Sequence, residues 1–445
     1  VGCTPRTLLI SPFFDAAVPS GGVLYSVDTA RGWLRRGRRV AVLCAARPRS
    51  LADLQADVDE GRLTLHPFGS PDQIRFTHHP DDGLRRMAAG LIADFKPDVI
   101  HGHNTHGFVS ALHAAIESPV PVVLTALDFG LLCFNFYLYR GAPTPCPGPV
   151  SSRACAECVL RTIHGPARWL GLTLPKRITR KLWPRWVRLD EAKSAAELHV
   201  SMRHILRHAD AIIAPSPIMA DKLREFGVPA SRLVPILYGL TPEKIMRPEK
   251  TPSESLRLAF LGSAEPVKGL RVLMRAADRL PDGLPLEIRA IGGDPVRELV
   301  ERCPARAKRY VSYRPALFGR DLALEHARID AALVPSLWPE NSPFVVLESL
   351  ANGTPVIASD QPGIRHLVIP EHTGWLIEPG RSGAWTRALV EALQRPARIR
   401  RMQANARFTR TTADFLNDLE ELESALIPGR AHDRPARRTP VPVPR

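Results

Sequence analysis

Short apolar runs alternate with amphipathic stretches along the first part of the chain, the pattern of strands separated by helices in a parallel sheet. Residues 7–11, 40–45, 98–101, 122–125 and 211–215 read as strands, and residues 23–36 as a helix between the first two. Residues 241–255 break this pattern: they have neither period and carry Pro242, Pro248 and Pro252 among charges, a linker composition. The alternation then restarts with strands at 258–262, 286–291, 331–335 and 355–358, helices at 269–279 and 343–351, and an interrupted helical region at 385–426. Residues 428–445 are mostly Pro, Arg and small residues, and disorder is expected there. The pattern predicts an α/β chain of two doubly wound Rossmann-like halves. A first domain would span 1–240, a linker 241–255 and a second domain 256–427, and ligands would sit beyond the carboxyl ends of the strands.

One stretch carries the most chemistry: Pro339-Glu340-Asn341-Ser342-Pro343-Phe344-Val345-Val346-Leu347-Glu348, followed by Ser349 to Gly353 and then Thr354-Pro355-Val356-Ile357-Ala358-Ser359. It reads as a loop entering a helix, with Ser342 as N-cap, Pro343 as first helical residue and Gly353 ending the helix. The free amides around Ser342, Pro343, Phe344 and Val345 would suit a phosphate. Glu340 and Glu348 flank that seat, and carboxylates accept hydrogen bonds from sugar hydroxyls. The implied ligand has hydroxyls on both sides of a phosphate, as a nucleotide-sugar does. Two glycines, Gly21 and Gly22, open the first helix, where backbone can approach a ligand closely. Gly262 and Lys268 follow the first strand of the second half, and Lys268 can neutralise a pyrophosphate as a point charge.

With its two acidic residues separated by seven and its Gly-Thr-Pro-Val turn, the 340–359 stretch resembles the donor signature of the retaining glycosyltransferases of family 4, which have the GT-B fold. The resemblance runs over about residues 8–379. It implies that Glu340 contacts the donor sugar and Glu348 the ribose, and that the Gly21-Gly22 loop faces the cleft. It also implies that Gly292 and Gly293 turn beside the nucleotide and that Arg314, in a loop at 311–314, stacks on the base. His101-Gly102-His103-Asn104 resembles the family's histidine loop facing the acceptor. Many relatives have a His-Asp pair where this chain has Leu127-Asp128, so Asp128 and His103 are the remaining acceptor-side candidates, beside Glu340 and Lys268. The family usually places an Arg where this chain has Ser263. No catalytic divalent metal is expected, since cations and a helix dipole take over that role.

The 445-residue chain is long enough for two cores, and its 60 Lys and Arg against 45 Asp and Glu leave a formal charge of +15. Such an excess can serve nucleic acid, an anionic membrane or phosphorylated small molecules. No strand interleaves aromatic and basic residues as nucleic-acid platforms do, so nucleic acid is disfavoured as a partner. A basic, tryptophan-bearing stretch at 161–188 reads as a solvated helical face, or as a peripheral contact with an anionic membrane. The N-terminal residues lack the pattern of a cleaved leader, and a cytoplasmic protein, with contact at the inner membrane face left open, is expected. Apolar residues 119–139 contain Asp128 and two prolines, which argues for a buried strand and loop over a membrane span.

Four of the seven cysteines, Cys133, Cys146, Cys155 and Cys158, fall within 26 residues on a Pro- and Gly-rich excursion at about 130–190. Their spacing suits a structural zinc, with an iron-sulfur cluster, buried thiols or disulfides as alternatives. The resulting expectation is a retaining glycosyltransferase moving a sugar from a UDP- or GDP-type donor to an acceptor hydroxyl of a glycan, glycolipid or natural product. The competing readings are another GT-B enzyme, such as a nucleotide-sugar epimerase or phosphorylase, and a non-catalytic nucleotide-sugar or membrane-surface binding protein.

Overall fold

The structure, a computed structural model, describes residues 4–15, 21–69, 81–103, 107–133, 136–140, 146–148, 151, 153–155, 157–158 and 185–427. The expected tail at 428–445 and residues 161–184 of the basic stretch lie outside this set. Strand β1 (Arg6–Ile10), helix α1 (Gly21–Arg35) and β2 (Arg39–Cys44) open a parallel sheet. It continues with β3 (Leu63–Pro67), β4 (Val99–His103), β5 (Val122–Thr125), β6 (Ala211–Ile213) and β7 (Leu233–Val234), in the order β3-β2-β1-β4-β5-β6-β7. Its interior strands are buried beyond their first residue, as sheets covered by helices on both faces require.

The second sheet comprises β8 (Leu256–Leu261), β9 (Leu286–Gly292), β10 (Val311–Pro315), β11 (Ala331–Val334), β12 (Val356–Ser359) and β13 (Gly374–Ile377), all parallel. Its order, β10-β9-β8-β11-β12-β13, reverses between β8 and β11, whereas the first sheet reverses between β1 and β4. Helices α2 (Leu270–Ala277), α3 (Asp294–Glu301) and α4 (Phe344–Ala351) follow β8, β9 and β11. At the switch points the chain leaves in opposite directions and opens a crevice at the strands' carboxyl ends. The loops 262–269 and 335–343 therefore share one crevice.

Two parts differ from the sequence-based reading. Residues 311–314, read as a loop, form the edge strand β10: Val311 and Tyr313 turn to the core, while Arg314 is exposed. The helical region past 382 is interrupted as expected, into α5 (Ser382–Gln394), α6 (Pro396–Asn405) and α7 (Thr412–Leu426), but the last leaves the second domain and returns to the first sheet. There α7 lies on α1, where Gly32 gives Leu416 its space: a Cβ at residue 32 would come within 2.2 Å of it. Arg36 and Arg38 of the first domain pair with Glu420, and Arg38 also meets the buried Glu423 at 2.6 Å. The linker and this return run side by side. Leu240 N–H donates to Arg410 O at 3.1 Å and Thr412 N–H to Leu240 O at 2.9 Å.

Candidate active site

The loop after β11 is held from beneath. Leu337 N–H donates to Val267 O at 2.7 Å, which ties this loop to the one after β8. Gly269, with φ of 78°, passes so close to Pro335 that a Cβ would sit 1.9 Å from its carbonyl oxygen, so only glycine lets Lys268 reach its place. Lys268 Nζ then lies 3.1 Å from Glu340 Oε1 and 4.9 Å above the Trp338 ring. Ser336 Oγ donates to the same carboxylate oxygen at 2.6 Å. Glu340 is buried and left-handed, with φ of 57°, and Gly363 packs against its backbone, where a Cβ would meet the Glu340 carbonyl oxygen at 2.2 Å.

The helix start differs by one residue from the sequence-based reading. Ser342 is also left-handed, with φ of 55°, and does not cap: its hydroxyl donates to Pro215 O at 3.0 Å and lies 3.0 Å from His366 Nε2. Burial pushes the His366 pKa down to about 4, which leaves that ring neutral. Pro343 occupies the N-cap position, and Phe344 and Val345 supply the first-turn amides, which have no intrahelical acceptor. Asn341 is buried and reaches across the cleft, donating to Ala126 O at 2.7 Å and accepting from Ser216 Oγ at 2.5 Å. The loop 339–343 is thus bonded to the carboxyl ends of β5 and β6 of the other domain.

The start of α1 arrives at the same place. Gly21 packs on the Phe344 ring, and a Cβ there would come within 2.8 Å of it, while Gly22 lies next along the helix. The Tyr238 ring also stacks on Phe344, at 5.1 Å and 7°. Two helix N-termini, one from each domain, therefore converge on one spot, and each brings partial positive charge.

Glu348 lies one helical turn farther along α4, half-buried, with the Lys244 ammonium 3.9 Å away. Burial raises its pKa above the usual carboxylate value, Lys244 opposes that shift and Asp28 adds to it. Lys244 sits in a short helical turn of the linker and pairs with Asp28 of α1 at 3.0 Å. Composition made 241–255 a plain linker, so Lys244 and Asp28 were missed, as were Ser336, Asn341 and His366. The cue that was available is a lysine at the chain's crossing between two acid-bearing elements.

The nucleotide-side glycines are placed unequally. Gly292 ends β9 against Gly262, whose carbonyl oxygen would lie 2.4 Å from any Cβ at 292, whereas Gly293 opens α3 without such crowding. Arg314 does not project beyond its strand. Half-exposed on β10, it turns back along the sheet toward Glu287 on β9, 3.7 Å away, because the edge strand aims its side chain outward. On the acceptor side, Asp128 caps a helical turn by accepting from Gly130 N–H at 2.8 Å, and Leu127 packs partly buried in the core. His103 and His101 belong to β4, between β1 and β5, and the His103 ring is fully buried beside Tyr25 and Trp33. Burial, with His101 adding, holds its pKa well below the usual value.

Among the described residues no group of three or more His, Cys, Asp or Glu side chains is arranged to hold a metal. Cys133, Cys146 and Cys155 are partly buried against the apolar core of the first domain. No helix among the described residues is long and apolar enough to cross a membrane.

Two Rossmann-like sheets whose switch points face one cleft define the GT-B fold. Solved structures share it at low identity: a glycosyltransferase from Rickettsia africae, at TM-score 0.64 and 14% identity over 96% of this chain and 99% of that one, is similar throughout. The Anabaena HepE protein in complex with UDP is similar at TM-score 0.62 and 16% identity, over 95% of this chain and all of that one. Residues 20–239 match the glycosyl transferase 4-like domain and residues 242–409 the glycosyl transferases group 1. The chain belongs to this glycosyltransferase family. Similar curated proteins include the D-inositol 3-phosphate glycosyltransferase of Rhodococcus erythropolis, 33% identical over 162 residues that cover 34% of this chain and 36% of the relative. The glycogen synthase of Mycobacterium tuberculosis is 29% identical over 261 residues, 55% of this chain and 61% of that protein. The chain thus spans between about a third and three fifths of the length of the curated relatives it matches.

Proposed function

We propose that this protein is a retaining glycosyltransferase that moves a sugar from a nucleotide-diphosphate donor to an acceptor hydroxyl. The observation that carries the reading is the Lys268–Glu340 pair at the switch point of the second sheet, beside the converging starts of α1 and α4. In the reaction the bond between the anomeric carbon and the phosphate oxygen breaks, a bond to the acceptor oxygen forms on the same face, and the acceptor hydroxyl's proton passes to the departing diphosphate. Charge accumulates on the departing diphosphate, where Lys268 and the amides of Phe344 and Val345 stabilise it without a metal. Glu340, already anchored by Ser336, orients the donor sugar through its hydroxyls. Glu348 takes the ribose.

UDP is the first nucleotide to test, because HepE is similar in fold and was solved with it. Calorimetry with UDP and GDP, followed by donor hydrolysis and transfer assays, tests the reading. Glu340→Ala and Lys268→Ala should each lower turnover by about a hundredfold or more, the scale of removing one transition-state charge partner. Undiminished turnover in both variants sinks the assignment.

A further inference from the structure

Lys244 is the one described linker residue whose charged group stands between carboxylates of both domains. Its side chain is 11% exposed, its Nζ lies 3.0 Å from Asp28 Oδ2 and 3.9 Å from Glu348 Oε1, and it hangs 5.9 Å from the Phe344 ring. The turn that carries it belongs mechanically to the second domain. Asn352, at the end of α4, donates to Lys244 O at 2.8 Å and accepts from the Met246 and Arg247 amides at 2.9 and 3.0 Å. Asp28 belongs to the first domain, where Arg31 holds it at 2.8 Å and is itself clamped by Asp53. The Asp28–Lys244 bond therefore spans the two domains.

At 3.9 Å, Lys244 neighbours the Glu348 carboxylate as a charge without hydrogen-bonding it. No hydrogen bond of that carboxylate occurs among the described residues, so its oxygens keep their acceptor capacity. A carboxylate half out of water needs a nearby cation to stay charged, and among the described residues Lys244 supplies the ion pair. We infer that Lys244 is a positioning residue for donor recognition, which holds Glu348 ready for the ribose only while Asp28 of the closed first domain holds Lys244. The inference rests on the reading of Glu348 as the ribose contact. Closing the cleft and recognising the nucleoside then become one event.

Calorimetric titration of the full chain with UDP or GDP, whichever the wild type binds more tightly, tests this. Lys244→Met and Asp28→Asn should each weaken binding about fivefold or more, the scale of coupled charge neighbours, and Lys244→Arg should recover most of the loss. In a Glu348→Gln background, Lys244→Met should add nothing further, whereas a merely structural lysine would add its full effect. Thermal unfolding of each variant separates lost binding from lost folding, and Asp28→Asn serves where Lys244→Met does not fold. Wild-type affinity in Lys244→Met and in Asp28→Asn, or full additivity with Glu348→Gln, overturns the inference alone. Wild-type affinity in Glu348→Gln overturns the ribose reading and the inference with it.

Discussion

His326 shows how much a single buried side chain sets the response of this protein to acid. Its ring is buried, accepts or donates one bond with Thr354 Oγ1 at 2.9 Å, and has its pKa pushed down to about 3 by burial, with Lys250 adding. In the unfolded chain a histidine takes up its proton near pH 6.5, whereas the folded ring refuses it until about pH 3. Between these values the unfolded state binds more protons, so stability falls as pH falls. At pH 5 the loss from His326 is about 2 kcal/mol. Denaturant titrations of His326→Gln at pH 7 and pH 5 should show a smaller difference than the wild type, and an unchanged difference would mean that the slope comes from elsewhere. His103 and His366, depressed for the same reason, add to it with the same sign.

Helix α7 joins the first domain through a buried triad. His101 Nε2 and Arg38 meet the two oxygens of Glu423 at 2.8 and 2.6 Å, and all three side chains are almost without solvent. Removing one member of a buried pair strands the other, which costs about 3–5 kcal/mol. Glu423→Leu should therefore destabilise by about 3 kcal/mol in chemical denaturation, and Arg38→Met placed beside it should return much of that. Equal stability of Glu423→Leu and wild type would contradict the triad's role. Nothing in α7's own residues announces where it docks. Its apolar stripe of Phe415, Leu416 and Leu419 fits either domain, and the deciding partners, Gly32, Arg38 and His101, lie more than three hundred residues away. The same limit explains the helix start at Phe344: Ser342 looks like a cap by composition, but Pro215 and His366 claim its hydroxyl. By contrast, the strands 122–125 and 355–358 and the Glu340–Glu348 spacing were legible, because local periodicity and a local motif carry them.

At the scale of the molecule, the legible half of the site is the wall built by one domain, Glu340, Glu348, Lys268, Gly262 and Gly292. Apart from the Gly21-Gly22 start of α1, what was not legible is how the other domain joins it. Asn341 is the clearest case, since its amide joins Ala126 and Ser216 of the first domain to the donor loop. Asn341→Ala should remove about 1–2 kcal/mol of closure. Faster amide hydrogen exchange at 336–345, together with a larger radius in solution scattering, would report it, while unchanged exchange would place the closing force elsewhere. The paired segments at Leu240 and Thr411 decide what form such opening takes. Gly239 lies against the Thr411 backbone with no space for a side chain, and the outgoing and returning chains meet there in a single parallel bridge. An opening that pivots at this crossing should keep both of its backbone bonds, so the Leu240 and Thr412 amides should stay slow to exchange while those at 336–345 quicken.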